Sequence, residues 1–314
     1  MQQNWAGLRP RPFLLRRNLP DGHMRTFGEF AVFDWSGQNV GRPKGIALAS
    51  CRAGEAPQLY IPTQNHWSRN DVLHWLMKAA DSQSDMLIGF DLSMGFPFAD
   101  TGAYFPEWEQ SPQSAPDLWR LVDELCADDA HLAASSFVTH PDLSRYFRHQ
   151  GQLGDRYGAD KSGRLRVVEQ ESRTQISARP YSCLNLVGAA QVGKSSLTGM
   201  RLLNRLRGII PVWPFDPIPN HGPVIVEIYT SIAASAAQLP KGRSKIRDQA
   251  TLNTAFANLD TPAPATLDRY DDHSTDALLT AAWLTKAAAD PQFWRPKLMT
   301  AKIAQTEGWT FGVS

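Results

Sequence analysis

Between Glu29 and Asp34 the apolar residues Phe30 and Val32 face one way, Ala31 and Phe33 the other, so both faces of the segment are apolar. A strand that is apolar on both faces is covered on both sides, which makes it central in its sheet. It ends in Asp34, just before the turn residues Ser36 and Gly37. Residues 44–50 and 58–61 read as two further strands, separated by Gly- or Pro-containing breaks, and complete a meander. From Ser68 the spacing becomes helical, with Val72, Leu73, Leu76 and Ala79 on one face and Ser68 or Asn70 as N-cap. Residues 85–91 form a second short apolar strand that again ends in a carboxylate, Asp91. A crossover helix between the two strands brings them parallel, so that both acids emerge at one edge of one sheet.

Beyond Phe96 the pattern loses regularity. Pro97, Pro106, Pro112 and Pro116 interrupt it before a helix over residues 117–125, and the stretch from about 96 to 180 reads as an insertion after the fourth strand. Leu197, Met200, Leu203 and Leu206 then make an apolar helical stripe, residues 223–229 read as a strand, and residues 241–259 as a packing helix. A last strong helix opens at Asp271.

Composition narrows the class. With 314 residues, 42% hydrophobic and 20% charged, the chain is an ordinary globular one, and a net charge of +1 singles out no partner. Residues 1–26 carry Arg9, Arg11, Arg16 and Arg17 among prolines without periodicity and are expected to be a mobile basic arm ahead of a single domain over 27–314. Cys51, Cys126 and Cys183 are far apart and form no CxxC pair, which indicates neither a disulfide framework nor a zinc knuckle. No window is apolar enough to span a membrane, and the N-terminus lacks a signal-peptide core, so a cytoplasmic location is expected.

Asp34 and Asp91 carry the candidate chemistry. Each either caps its turn or holds a cation: paired carboxylates cannot stay ionised together without a counter-charge, and their oxygens are hard ligands for magnesium or manganese. At the opening of the last helix, Asp271 and Asp272 fit capping and the helix dipole, whereas Asp276 lies one turn further in. Asp276 shares a face with Asp272 and His273 at the spacing that lets two side chains reach one ion. Within the insertion, Arg145, Arg148, Arg156, Lys161, Arg164, Arg166, Arg173 and Arg179 interleave with Tyr146, Phe147 and Tyr157, a pattern open to either a solvated loop or a nucleic-acid strand. A rival theme lies in residues 188–195, where Gly188, Gly193, Lys194 and Ser195 match the phosphate-binding pattern GxxxxGK[ST] between a strand-like run at 184–187 and a helix. Against a nucleotide-binding core stands the scarcity of strands after the motif; a glycine turn feeding a helix is the alternative.

Taken together, Asp34 ending the first strand, Asp91 ending the strand after the first helix, and His273-x-x-Asp276-Ala277 opening a late helix resemble the RNase H-like fold, with Holliday-junction resolvases the closest analogue for that helix. More specifically, Phe90-Asp91-Leu92-Ser93-Met94-Gly95-Phe96-Pro97, Val226-Glu227-Ile228-Tyr229 and the terminal Glu307-Gly308-Trp309-Thr310-Phe311-Gly312-Val313 are similar to an uncharacterised family described as predicted RNase H-like nucleases. The resemblance implies an α/β domain with a mixed five-stranded core sheet, helices on both faces and a large helical and irregular insertion after the fourth strand. It also implies a nuclease that hydrolyses phosphodiesters with two magnesium or manganese ions. Asp34, Asp91 and Asp276 would be ligands, His273 or Glu227 would complete the set, and Asp272 and Ser36 would support it. Lys194 would then contact a nucleic-acid phosphate rather than ATP. A non-catalytic scaffold that keeps the acids for stability is the third possibility.

Overall fold

A computed structural model describes residues 25–158, 162–175, 180–188, 192–240 and 245–314. The expected basic arm lies outside them, apart from its last two residues, and so do positions 189–191 of the glycine motif. Strands β1 (Glu29–Asp34), β2 (Ala47–Arg52) and β3 (Gln58–Tyr60) form the meander. Helix α1 (Arg69–Asp81) starts at Ser68, whose hydroxyl accepts from the Asp71 amide while the Asp71 carboxylate accepts from the Ser68 amide. That reciprocal cap satisfies two amides that the first helical turn leaves without partners. Helix α1 returns the chain to β4 (Met86–Asp91), which pairs parallel to β1.

The long excursion after β4 holds α2 (Ala115–Leu125), α3 (Ser135–Thr139), a small hairpin of β5 (Arg148–His149) and β6 (Gln152–Leu153), α4 (Val167–Gln175) and α5 (Val192–Leu206). Strands β7 (Val212–Trp213) and β8 (Val224–Ile228) re-enter the sheet, followed by α6 (Thr230–Ala236), α7 (Gln249–Asn258), α8 (Asp272–Ala287), α9 (Pro291–Trp294) and α10 (Ala301–Thr306). The sheet runs β3-β2-β1-β4-β8-β7, antiparallel across the meander and parallel from β1 outward. It therefore has six strands where five are expected: β7 is two residues long, too short to leave a period in the sequence.

Each face of β1 packs as its alternation dictates. Ala31 and Phe33 join Ile88, Phe90 and the apolar sides of α1, α2 and α5 in one core; Phe30 and Val32 join Leu87, Val224, Val226 and α8 in the other. One correction concerns the segment before α5. Residues 184–187 are not a strand: Asn185 makes a single isolated bridge to Arg148, so the glycine motif lacks the strand that a phosphate-binding loop follows. In the basic run of the insertion Arg145 pairs with Asp155, Arg156 with Glu107, Arg164 with Asp100 and Arg166 with Glu169, Arg148 is exposed, and Tyr146, Phe147 and Tyr157 are buried. Lys161 and Arg179 lie outside the described residues. Among the described residues no helix is long and apolar enough to cross a membrane.

Candidate functional site

Because β1 and β4 are parallel and in register, with Phe33 beside Phe90, their terminal acids leave the sheet side by side. Helix α8 lies against β1 and β2, and its first turn, capped by Asp271, reaches the same edge. This delivers His273 to Asp34, whose Oδ2 stands 2.6 Å from the imidazole Nδ1. Asp34 is almost fully buried, and Asp91 accepts a 3.3 Å hydrogen bond from the Thr230 hydroxyl. Asp276 receives the Lys245 ammonium at 3.0 Å; Lys245 also stands 3.5 Å from Asp272, which pairs with Arg247 as well.

The electrostatics show that these carboxylates sense one another. Burial raises Asp34, and His273 partly offsets the rise. Burial likewise lifts Asp91 well above the carboxylate range, and the charges of Asp34 and Asp276 lift it further. Asp276 is pushed up to about 6, again by burial, against the pull of Lys245 and with the repulsion of Asp34 and Asp272. His273 is raised by its bond to Asp34. Like charges gathered in a poorly hydrated place need a cation or a proton.

A testable consequence concerns Asp276. Its folded pKa lies above the unsupported value of 3.8, so the native state holds this proton more tightly than the unfolded chain. Stability from this group is present at low pH and is lost as pH rises from about 4 through about 6. In chelator, Asp276→Asn should match wild type in melting temperature near pH 4 and exceed it at pH 7. A difference that does not change with pH would show that Asp276 carries no such penalty.

No protein-family model matches the chain, and neither a curated protein nor a solved structure matches it. The chemistry of the site is accordingly read from its own atoms.

Beside the carboxylates lies a cavity of about 390 Å³, lined by Asp91, His273, Ser36, Tyr181, Lys194 and Ser195 among others. The last two come from the first turn of α5, whose N-terminal dipole and Lys194 make this wall positive. Gly37 permits the approach: a Cβ there would fall 2.3 Å from the Lys194 carbonyl carbon. Ser36 supports the turn after Asp34, its hydroxyl accepting from the Gln38 amide and its carbonyl from Arg69. Gly188 is at the cavity rim with a positive φ of 79°.

Glu227 stands elsewhere in the chemistry. Its two oxygens take the Arg166 guanidinium at 2.6 and 2.9 Å, the Met94 amide at 2.7 Å and the Thr310 hydroxyl. With both oxygens engaged, Glu227 is a buried structural anchor rather than a free metal ligand. Asp34 and Asp276 are similarly turned toward His273 and Lys245, and among the described residues no three His, Cys, Asp or Glu side chains close round a single point as a metal cage. The donor chemistry suits a divalent ion, since hard carboxylate oxygens with mutually raised pKa values are ligands that a cation would stabilise in their charged form. Lys245 and Thr230 are the participants that the sequence did not reveal, and neither has a local motif. Lys245 is 31 residues from Asp276, and Thr230 is 139 from Asp91.

Proposed function

We propose that the chain is a divalent-cation-dependent phosphodiester hydrolase of RNase H-like architecture, with nucleic acid as its substrate class. The observation that carries this reading is the convergence of Asp34, Asp91 and Asp276 from two parallel strand ends and one helix start, all three raised by burial, with Asp91 raised further by Asp34 and Asp276, and Asp276 by Asp34. Three such acids are costly to a fold that gains nothing from them, which disfavours a scaffold that keeps them for stability. A bound magnesium or manganese ion would supply Lewis-acid stabilisation and an activated water. Asp91 and Asp34 would hold it, His273 would fix the orientation of Asp34, and Lys194 with the α5 dipole would seat a phosphate across the cavity. ATP binding by residues 188–195 has weaker support, because no strand leads into that turn.

The test needs two readouts. Manganese at a hundredfold over its dissociation constant should add about 2.7 kcal/mol of stability, a rise in melting temperature of roughly 5–10 °C over the chelated protein. The same ion should switch on cleavage of single- or double-stranded oligonucleotides. Protein that neither melts higher with manganese nor cleaves any oligonucleotide would defeat the proposal.

A further inference from the structure

Four carboxylates, Asp34, Asp91, Asp272 and Asp276, gather at this edge of the sheet, and the protein supplies cations to three of them. His273 meets Asp34, Lys245 lies between Asp276 and Asp272, and Arg247 pairs with Asp272. Asp91 differs: among the described residues its side-chain partner is the neutral Thr230 hydroxyl, and the charges that act most on it are those of Asp34 and Asp276. The unmet demand for positive charge therefore centres on Asp91, at the cavity wall. On the far side of the cluster that demand is already met.

Lys245 is held there by its neighbours in sequence. Ile246 is buried in the core that contains α8, and Asp248 caps α7 by accepting from the Thr251 amide. Both anchors follow 245 in the chain and set where it leads into α7, and from there the half-exposed side chain reaches the carboxylates. Its ammonium also acts on Asp34, which places it within electrostatic range of three of the four acids. A divalent ion beside Asp276 would have to displace this ammonium and would then face Arg247 across Asp272.

We propose that Lys245 takes the place of a second divalent ion, so that the site binds a single ion, at Asp91 and Asp34, with the lysine ammonium compensating Asp276 and Asp272. This rests on the reading of the acids as metal ligands, and it replaces the two-ion arrangement that the family resemblance implies. Lys245 is thus a positioning and charge-compensating residue: it touches Asp276 and Asp272, not the substrate.

Counting bound manganese separates the possibilities without any assay of hydrolysis. Equilibrium dialysis, with free manganese read by its paramagnetic resonance, should give one ion per chain for wild type and for Lys245→Arg. Lys245→Met should bind a second ion, because Asp276 and Asp272 lose their ammonium. Asp91→Asn should bind no ion. Two ions on wild type, or one on Lys245→Met, would overturn the role of Lys245 while leaving the hydrolase reading intact. No ion on wild type would overturn both. Melting curves taken alongside show that each variant is folded, and rescue by arginine distinguishes charge compensation from mere packing.

Discussion

Asp91→Asn should reduce metal-dependent hydrolysis by on the order of 10³-fold and yet melt no lower than wild type in chelator. The two effects have one cause. At neutral pH the Asp91 carboxylate is disfavoured by burial first and then by the charges of Asp34 and Asp276. The amide keeps the shape and can still accept from Thr230, but it removes a charge that the folded state holds poorly. A structural aspartate behaves in the opposite way, since loss of a satisfied buried acid destabilises. Activity falls because an amide oxygen is a weaker ligand than a carboxylate oxygen. Losing about 4 kcal/mol of transition-state stabilisation corresponds to a thousandfold in rate. Oligonucleotide cleavage and thermal melts on the same preparation check both arms. Near-wild-type cleavage would remove Asp91 from the chemistry, and a lower melting temperature in chelator would make it a structural turn residue.

Much of the sheet was legible because its signals are local. Two apolar faces placed β1 at the centre, Ser68 was one of two N-cap candidates for α1, and the repeated strand-then-acid pattern paired Asp34 with Asp91. His273 and Asp276 were legible from helical spacing alone. What escaped were interactions with no period. Residues of β7 are too few to alternate, and Lys245 falls within the helix read over 241–259, whereas α7 starts only at Gln249 and leaves Lys245 ahead of it. The arginines of the insertion left two readings open, a solvated loop or a nucleic-acid strand. Composition shows their number, but only the fold shows that Arg145, Arg156 and Arg164 each face a carboxylate. Glu227 joins the metal ligands only through the family resemblance, and its register does set it beside Phe90. Arg166, 61 residues earlier in the chain, decides otherwise.

That arginine carries the second large effect. Arg166→Met should destabilise the protein by about 3–5 kcal/mol and lower its melting temperature by on the order of 10 °C. Arg166 is buried, as are Glu227 and Glu169, and its guanidinium bonds both carboxylates and the Glu307 carbonyl. The Glu307 side chain in turn accepts from the amides of Phe98, Ala99 and Val167, so one cluster ties the start of the insertion, its return and the C-terminal segment to β8. Removing the cation leaves two acids in an apolar setting with nothing to balance them. The double variant Arg166→Met with Glu227→Gln should recover part of the loss, because one stranded charge is then gone. Arg145→Met, which breaks an exposed, solvent-screened pair with Asp155, should leave the unfolding midpoint close to that of wild type and serves as the contrast. Denaturant unfolding of the four proteins provides the comparison. Arg166, Glu169 and Glu227 also form part of the cavity wall, so stability and manganese binding can be read together. A Glu227→Gln protein that kept its stability but lost manganese would move Glu227 from the anchor to the metal.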